Sequence, residues 1–516
     1  MDQGGSKCIP RPAGAEAEPA RSPAEIGHCL GRAYKDSPAP SPRRRSTFRS
    51  HGSTSQLSSR RHRPSGPERM IRVWASSPCL PFQHVYRNSG VDTMKKRVSG
   101  AIVASVIHAA RVVEGRETMR VLLTGVGTRG DVQPVVALAV EMRRRGHDVR
   151  LCVPPNFIDW VGSMGFTATP IGIAMRQSSG AAAPAAPPTP EQVRALVEHL
   201  ARDQFDATAS AAEGCDVIVA GGAHQYAARS IAERLGIPSV VAVYAPVALP
   251  SPDHAPGGEP GGDPESNLRC WQDESRSWNE RLLERLNANR ERLGLGPVSD
   301  VFSHVLGKAP WLAADSVLGP LPATPGLQVT QTGAWLLPDQ APLVPELEAF
   351  LAAGEPPVYI GFGSMPVDPQ TGRVVIEAVR AAGRRVVLSQ GWAELGLVDD
   401  APDGIAIGDV NQQALFPRVA AVVHHGGAGT TTTAARAGVP QVIVPMFADQ
   451  PYWASRVRAL GLGTSVARGA QSAESLLAAL EGALDHGVAA RAAANAGAVA
   501  VDGTAVAADL IERASM

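Results

Sequence analysis

The chain contains few of the groups that hold other proteins together by special chemistry. Its six cysteines are scattered over 516 residues, with neither a C-x-x-C pair nor the spacing of metal ligands. This pattern argues against a disulfide framework or a zinc site and favours a reduced, cytoplasmic setting. No apolar run approaches the ~20 residues that a membrane-spanning helix needs. We therefore expect at most peripheral contact with a membrane.

The chain also lacks net charge, since 49 Lys and Arg balance 49 Asp and Glu. The balance is uneven along the sequence, however. Before Met119 about 20 basic residues stand against about 9 acidic ones, which leaves the remainder acidic. An acidic main body argues against nucleic acid as its partner.

Residues 1–118 are rich in Arg, Ser, Pro and Gly. Such a composition cannot bury enough apolar surface to offset chain entropy, so we predict that this extension is disordered. It is either an upstream extension without a working role or a basic arm for anionic surfaces. Within it, Met94–Arg97 and the apolar stretch 99–110 are similar to an export signal, but their position far from the first residue argues against that role.

From Met119 onward, apolar runs alternate with segments in which apolar residues recur at helical spacing. One series begins with MRVLLTGV and a second with PPVYIGFGSM, at Pro356. Helical spacers of ~15 to 20 residues imply parallel crossover connections. The sequence therefore predicts an α/β protein of two doubly wound Rossmann-like domains that face each other across a cleft. We place the domains at 119–335 and 346–516, joined by a linker at 336–345.

The run TGVGTRGDVQP, residues 124–134, places the pattern G-x-G-x-x-G directly after the first predicted strand. This pattern is typical of dinucleotide-binding turns, which also need an acid at the end of the second strand. Here that strand ends in Val153–Asn156 and offers no carboxylate. The acid instead follows the third glycine, as Asp131, at the expected mouth of the cleft. Asp131 is a candidate reactive carboxylate, and the alternative is an acid that stabilises the start of the next helix.

A second glycine turn follows the strand that ends near His425. Backbone N–H groups in such a turn, together with the dipole of the next helix, form an anion site without a metal. The absence of a Gly-Lys-Ser/Thr run excludes a P-loop ATPase, and an ordinary strand-to-helix turn is the alternative. The predicted members of the anion site are His425, Gly427, Gly429, Thr430 and Thr431.

Asp449 and Gln450 follow the next predicted strand, at its carboxyl end. Ligands of parallel sheets bind at that end. A carboxylate beside a carboxamide suits the hydroxyl groups of a sugar, and the alternative is a helix cap ahead of Pro451.

The run HHGGAGTTTTAARAGVPQVIVPMFADQ, residues 424–450, resembles the donor-binding signature of nucleotide-sugar glycosyltransferases of the GT-B fold. GTRGDVQPVVALAVEMRRRGHDV and GFGSM resemble two further motifs of this group. The resemblance covers the chain from about Met119 onward. It is closest to bacterial enzymes that glycosylate glycopeptides and other natural products, and to sterol glucosyltransferases. It implies an inverting transfer of a hexose from a UDP- or dTDP-sugar to a hydroxyl of a hydrophobic small-molecule acceptor.

The resemblance also implies roles for individual residues on the acceptor side. The acid that matches Asp131 is the candidate general base of the family. Its loop is shaped by Thr128, Arg129 and Gly130.

On the donor side, His425 matches a histidine that contacts the diphosphate, and the turn of Gly427, Gly429, Thr430 and Thr431 supports it. Asp449 and Gln450 match the pair that holds the sugar. The other matches are Gly363 and Ser364 in a phosphate-side loop, Val410 beside the nucleobase, and Trp392 as either a stacking surface or a core residue.

Two departures from the family leave the choice between UDP and dTDP open. Asn411, Gln412 and Ala414 differ from a common Val-Pro-His-x-Trp motif near the base pocket, and Thr433 replaces the ribose-binding Glu of plant relatives. No D-x-D element occurs, so the resemblance implies neither a metal nor a cofactor. The acceptor side would include the His224–Gln225 region and the loops near Ser178 and Pro250.

Two alternatives to a glycosyltransferase stay open at this point. The glycine turn at residues 125–130 also suits a dinucleotide-dependent oxidoreductase. A protein of the same fold could also act as a non-catalytic activator of another enzyme.

Overall fold

The computed structural model describes residues 118–174, 190–258, 262–365 and 367–514, without the side chains of residues 190–197. The predicted disordered extension and most of the predicted loop near Ser178 lie outside the described residues. No helix in the described ranges is long and apolar enough to cross a membrane.

A parallel sheet of seven strands forms the first domain, in the order β3-β2-β1-β4-β5-β6-β7. Strands β1 and β4 are nearly continuous runs of buried, mostly apolar residues, as is typical of strands covered on both faces. The order reverses between β1 and β4, which is where open α/β sheets bind ligands. The strands are β1 Arg120–Gly125, β2 Asp148–Val153, β3 Thr167–Pro170, β4 Val217–Gly221, β5 Ser239–Val243, β6 Trp311–Leu312 and β7 Thr330–Gln331.

Helices cover both faces of this sheet. The helix after β1 follows Thr128 and ends at Gly146, whose φ of 94° is the left-handed conformation that a helix C-terminus favours. The helices are α1 Arg129–Arg145, α2 Ile158–Ser163, α3 Pro190–Ala212, α4 Ala228–Leu235, α5 Pro264–Arg292 and α6 Val301–Leu306.

The second domain contains a parallel sheet of six strands in the order β10-β9-β8-β11-β12-β13. Its order reverses between β8 and β11. The strands are β8 Val358–Gly361, β9 Val386–Ser389, β10 Gly404–Ile407, β11 Ala421–His424, β12 Gln441–Ile443 and β13 Gly463–Ser465. The helices are α7 Pro345–Ala352, α8 Pro369–Ala381, α9 Gln412–Leu415, α10 Ala428–Arg436, α11 Gln450–Ala459, α12 Ala473–Ala483, α13 His486–Asn495 and α14 Gly503–Ala514. Two parallel-sheet α/β domains were predicted, and the structure confirms them.

The last helix, α14, packs on the first domain. Its apolar residues belong to the core that contains β1 and α1. Arg145, in the last turn of α1, donates to the carbonyl of Ala505 at 2.9 Å and pairs with Glu512 at 3.1 Å. The predicted division at residues 335 and 346 stays a prediction, but α14 follows the second domain in sequence and packs with the first in space. Its core residues are Ala507, Ala508 and Ile511.

The chain passes between the domains at two segments, and these segments touch. A Cβ on Gly503 would overlap the carbonyl groups of Gly333 and Ala334, so the two backbones meet without side chains between them. Asp315, which is buried, accepts a hydrogen bond from Ala500 N at 2.9 Å and holds the second segment in place.

We expect Gly503→Ala to destabilise the protein by about 1 to 3 kcal/mol, because the added methyl must separate two packed backbones. Chemical denaturation measures this loss. Gly162→Ala in α2 is the control, since a Cβ there meets nothing within 4 Å. Removing a helical glycine should leave stability equal or raise it by up to about 1 kcal/mol. An equal change in the free energy of unfolding for Gly503→Ala and Gly162→Ala would contradict the close contact between Gly503 and the backbone of residues 333–334.

Candidate active site

Asp131 lies in the first turn of α1, after the glycine turn that follows β1. Its Oδ2 accepts from Thr128 N at 2.8 Å and from Thr128 Oγ1 at 3.3 Å. The carboxylate therefore supports the start of the helix, as the structural alternative expected. Its Oδ1 has no hydrogen-bond partner in the described ranges, and a Cβ on Gly222, after β4, would lie 3.6 Å from it. The side chain thus combines a bound oxygen with a free one at the switch point of the sheet.

The glycines of this turn make room for the chain's own carboxylate. Gly127 has a φ of 136°, and a Cβ there would overlap Asp131 Oδ2. Beneath the turn, Tyr244 donates its hydroxyl to the backbone carbonyl of Asp131 at 3.2 Å. Gly221 must lack a side chain because the Tyr244 hydroxyl fills that space. The Asp131 side chain therefore explains Gly127, while Gly125 makes room for Val135 and for the backbone of α1.

Burial raises the pKa of the Asp131 carboxyl from 3.8 to about 6, and the charge of Asp449 contributes to the rise. The hydrogen bonds from Thr128 oppose it. Asp449 belongs to the second domain, so a charge of that domain acts on the carboxyl of the first. Burial also raises the pKa of Asp449, against a hydrogen bond from Trp453 Nε1 at 2.7 Å. Two carboxyl groups that resist ionisation thus lie across the gap between the domains.

The two adjacent histidines at the end of β11 have different surroundings. His424 is fully buried: its Nδ1 accepts from Gly426 N at 3.1 Å and its Nε2 bonds to Gln441 Oε1 at 2.9 Å. Burial and the neighbouring His425 lower its pKa to about 3. His424 is therefore a neutral residue that fixes the turn, so the alternative of an ordinary strand-to-helix turn describes this member of the pair.

His425 has no such partners. Its ring lies between two glycines, since a Cβ on Gly427 would stand 2.5 Å from Nε2 and one on Gly363 would stand 3.4 Å from Cε1. Its Nδ1 is buried without a hydrogen-bond partner in the described part of the chain. Burial lowers the pKa of the imidazole to about 4. An unpaired buried nitrogen is costly, which makes His425 the member of the pair suited to a ligand.

Helix α10 begins directly after this turn, with Gly427 at the N-cap position. The N–H groups of its first turn have no partners within the helix and carry the positive end of the dipole. Thr431 is buried and its hydroxyl donates to the carbonyl of Gly427 at 3.0 Å. Thr430 is half-buried and makes no such bond within the described residues. Of the two predicted hydroxyl donors, only Thr430 keeps its hydroxyl free for an anion; Gly429 beside it is exposed.

Asp449 and Gln450 also separate into two roles. Gln450 is buried, and its Oε1 accepts from the backbone N–H groups of Met446 at 2.7 Å and Phe447 at 3.1 Å. Its amide nitrogen contacts Met365 Sδ at 3.3 Å. Gln450 therefore braces the loop, while the half-buried Asp449 accepts from Trp453 Nε1. Between them and β12, Ala448 adopts a φ of 55°, a left-handed conformation that favours glycine.

The loops after β8 and β9 join beside His425. Trp392 N donates to the carbonyl of Gly363 at 2.9 Å, with half-buried Ser364 next in the chain. The Trp392 ring packs on Phe157 of the first domain, with ring centroids 6.1 Å apart. Packing is thus shown for Trp392, and stacking on a nucleobase stays a prediction. Val410 is half-buried after β10.

Arg129 and Gly130 occupy the first turn of α1, beside Asp131. The Arg129 guanidinium lies 4.8 Å from the centre of the Trp160 ring and forms an ion pair with Asp409 of the second domain at 2.9 Å. The sequence motif gave no sign of either partner, because both are distant in sequence.

The residues that depart from the family pattern have structural partners. Asn411 Oδ1 caps α9 by accepting from Ala414 N at 3.0 Å, and its Nδ2 donates to the linker carbonyls of Asp339 and Ala341 at 3.1 and 2.8 Å. Gln413 donates to the linker at Leu337 O, at 2.8 Å. These amides therefore fix the interdomain linker on the second domain.

The other departures bond locally. Gln412 Nε2 donates to the Tyr359 hydroxyl at 3.3 Å, and the Thr433 hydroxyl donates to Gly429 O within α10 at 2.8 Å. Both of these hydrogen bonds stay within the second domain.

On the predicted acceptor side, Gln225 is buried and joins the ends of β1 and β4 through the Thr124 hydroxyl, at 3.1 Å, and Gly221 O, at 2.9 Å. His224 lies in the turn before α4 and stacks on Trp278 of α5, with centroids 5.8 Å apart. Gln225 thus fixes this turn to the carboxyl ends of β1 and β4, and the His224 ring packs on Trp278 beside it.

An aromatic cluster surrounds that histidine and was missed from the sequence. Its members are Tyr226, Trp271, Trp278 and Phe302. Two of them, Trp271 and Trp278, are seven residues apart on α5, a spacing that places them on one helix face. That spacing was the available signal.

No group of three or more His, Cys, Asp or Glu in the described ranges could hold a metal ion. Metal independence stays a prediction. Cys152, Cys215 and Cys270 form no disulfide within the described residues.

Comparisons with known proteins agree with this geometry. The chain matches the erythromycin biosynthesis protein CIII-like C-terminal domain over residues 373–511, and the glycosyltransferase family 28 N-terminal domain over residues 121–251. It is 49% identical over 399 residues to glycosyltransferase GtfE of Amycolatopsis orientalis, covering 76% of this chain and 97% of the relative. It is 48% identical over 398 residues to the vancomycin aglycone glucosyltransferase of the same organism, with the same shares covered.

A solved structure, the glycotransferase of kitacinnamycin, superposes with a TM-score of 0.60 at 22% identity, over 77% of this chain and 99% of that one. The fold and the site define a GT-B glycosyltransferase, an enzyme that transfers sugars. The chain belongs to the EryCIII-like family of these enzymes, whose relatives include glycopeptide and natural-product glycosyltransferases. No observation favours an oxidoreductase or a non-catalytic activator.

The raised pKa of Asp131 predicts a dependence of stability on pH. The native carboxyl binds a proton at about pH 6 and a free one at 3.8, so the free energy of unfolding falls as pH rises through this interval. Asp131→Asn removes the ionisation. We expect it to stabilise the protein by about 1 to 3 kcal/mol at pH 7 relative to wild type, with the gain lost below about pH 4.

Urea unfolding at pH 4, 5.5 and 7 measures this effect. Asp159→Asn is the matched control, because Asp159 is an exposed first-turn acid of α2. A constant difference between wild type and Asp131→Asn over this range would contradict the buried carboxyl.

Proposed function

We propose that this glycosyltransferase moves a hexose from a UDP- or dTDP-sugar to a hydroxyl of a hydrophobic acceptor, with inversion at the anomeric carbon. One observation carries the proposal. Asp131 lies in the first turn of α1, where its neighbour Arg129 pairs with Asp409 of the second domain, and the charge of Asp449, which follows the His425 turn in sequence, raises the pKa of Asp131. A base and an anion site therefore face the same gap.

Asp131 is the proposed general base. Its Oδ1 is free of hydrogen bonds within the described residues, so it is available to the acceptor hydroxyl. A pKa of about 6 keeps the group largely ionised at neutral pH yet basic enough to take a proton in the transition state. As the acceptor oxygen bonds to the anomeric carbon, its proton passes to Oδ1. The anomeric C–O bond breaks and its electron pair leaves with the diphosphate.

The leaving diphosphate is stabilised on the second domain. The first N–H groups of α10 and the free hydroxyl of Thr430 supply donors, and the helix dipole favours the added charge. The lowered pKa of His425 keeps its ring neutral, so the ring supplies one N–H donor. A hydrogen bond to the diphosphate would give the buried, unpaired Nδ1 a partner. These groups supply the electrostatic stabilisation for which other enzymes use a metal. Asp449 binds sugar hydroxyls in this arrangement, and Gln450 holds its loop.

The nucleobase would lie beside Val410 and Trp392. The acceptor would enter from the first domain near Gly222, where the aromatic cluster around His224 provides an apolar wall. A relative at 48% identity is named for the vancomycin aglycone, so a glycopeptide-type aglycone is our first candidate. A cytoplasmic location stays a prediction that depends on the scattered cysteines.

We expect Asp131→Asn to lower kcat by at least about 100-fold while UDP or dTDP still stabilises the variant against heat, since the base is separate from the nucleotide site. The wild-type rate should fall on the acid side of about pH 6, because the base must be ionised. Sugar transfer to vancomycin aglycone, followed by mass spectrometry over pH 5 to 9, measures both. Wild-type turnover in Asp131→Asn would overturn the base assignment.

His425→Ala should weaken binding of UDP or dTDP by about tenfold, because it removes one hydrogen bond to a charged group. Thermal shift over a series of nucleotide concentrations measures this loss. Uridine and thymidine serve as ligand controls, since they carry no diphosphate and should bind equally to both proteins. His486→Ala, at the exposed start of α13, is the matched variant. Equal loss of nucleoside binding would place His425 elsewhere than at the diphosphate.

A further inference from the structure

Two contacts between the domains lie beside the reactive groups. The Arg129 guanidinium pairs with Asp409 at 2.9 Å. The Phe157 ring packs on Trp392 with centroids 6.1 Å apart. Arg129 is two residues from Asp131, whereas Asp409 and Trp392 border the predicted nucleobase pocket. The contacts thus join the loop of the base to the loops of the donor.

Arg129 is held ready for this ion pair by its own domain. Its guanidinium stacks over the Trp160 ring at 4.8 Å, and its Nε donates to Gln133 Oε1 at 3.3 Å. Trp160 in turn packs edge-on against Phe157, at 6.1 Å. The ionic and the apolar contact are therefore parts of one continuous surface.

On the second domain the contacts continue to the diphosphate site. Trp392 N donates to Gly363 O, and Gly363 lies against the His425 ring. An unbroken series of packed groups therefore runs from His425 through Trp392 and Phe157 to Arg129. We call the set Arg129, Phe157, Trp160, Trp392 and Asp409 the clasp.

We propose that Asp409 is a positioning residue for sugar transfer: by accepting from Arg129 it closes the clasp and sets the Thr128–Asp131 loop against the donor domain. The proposal rests on the proposed function, because it concerns the loop that carries the base. Asp409 does not contact either substrate in this mechanism. Its effect passes through Arg129.

The size of the effect follows from exposure. The Asp409 side chain is 88% exposed and that of Arg129 38%, so the ion pair is screened by water and salt. Exposed pairs contribute little, up to about a fivefold change in an equilibrium. We therefore expect Asp409→Asn to lower kcat about threefold to fivefold at low salt, with the nucleotide-induced thermal shift unchanged, since Asp409 does not contact the donor in this mechanism.

Salt separates an ionic role from a merely structural one. At ~1 M salt the Debye length falls to about 3 Å, so wild type should slow to the rate of Asp409→Asn. Asp409→Glu, which keeps the charge, should recover at least half of the wild-type rate at low salt. Glu348→Gln is the matched control, because Glu348 forms an exposed pair with Arg418 at 2.7 Å within the second domain. It should leave kcat unchanged.

The experiment measures kcat and KM for donor and acceptor in these four proteins at ~20 mM and ~1 M salt. Convergence of wild type and Asp409→Asn at high salt, with rescue by Asp409→Glu, supports the proposal. Equal rates at low salt, an equal loss in Glu348→Gln, or a loss that salt does not change would overturn it. Asp131→Asn is measured alongside. Wild-type turnover in Asp131→Asn would contradict the assignment of the general base. It would leave a salt-dependent loss of activity in Asp409→Asn unaffected, so the failure of the base assignment can be distinguished from the failure of the Asp409 proposal.

Discussion

Two half-buried carboxyl groups, Asp131 of the first domain and Asp449 of the second, lie close enough for the charge of one to raise the pKa of the other, and local hydrogen bonds hold both in place. Burial and their mutual charge both raise the pKa of Asp131. A free-standing loop would turn such a group toward water. Here the carboxyl groups are held by Thr128 on one side and the indole of Trp453 on the other. Burying a carboxyl group lowers the stability of the fold, and the hydrophobic cores on the two parallel sheets offset that loss.

Similar glycine patterns serve different ends in the two domains. In the first turn, the space left by Gly127 is filled by the chain's own carboxylate. In the second turn, the space left by Gly427 is filled by the His425 ring, which leaves the helix N-terminus open. The function of such a motif therefore depends on which atom fills the space that each glycine leaves by having no side chain. A pattern of glycines alone cannot show this, because it depends on side chains outside the pattern, such as Asp131 and His425.

Apolar runs and glycine turns predicted the main strands, the two domains and the neighbourhoods of Asp131 and His425. Strands β6 and β7 have two residues each, which is too short to show the alternation of apolar and polar residues by which strands are predicted. The sequence could not distinguish His424 from His425, since only the fold brings Gln441 to one of them. The contact of Trp392 with Phe157 also depends on tertiary packing between distant segments.

The departures from the family motif have a similar explanation. Asn411 stands where relatives carry another residue, and it binds the linker between the domains together with its neighbour Gln413. Their side chains answer a local need for hydrogen bonds to backbone carbonyls. Motif comparison finds such a change, but its meaning becomes visible only when the linker is placed beside it.

The return of α14 to the first domain has a consequence for recombining these enzymes. A chimaera that exchanges the second lobe with that of a relative needs two junctions, one in the linker and one shortly before Gly503. With a single junction, the hybrid would carry a foreign α14 against the native core of β1 and α1. The backbones of Gly333 and Gly503 touch, so both junctions would lie close to this contact. Exchanging one lobe as a unit would therefore require both junctions.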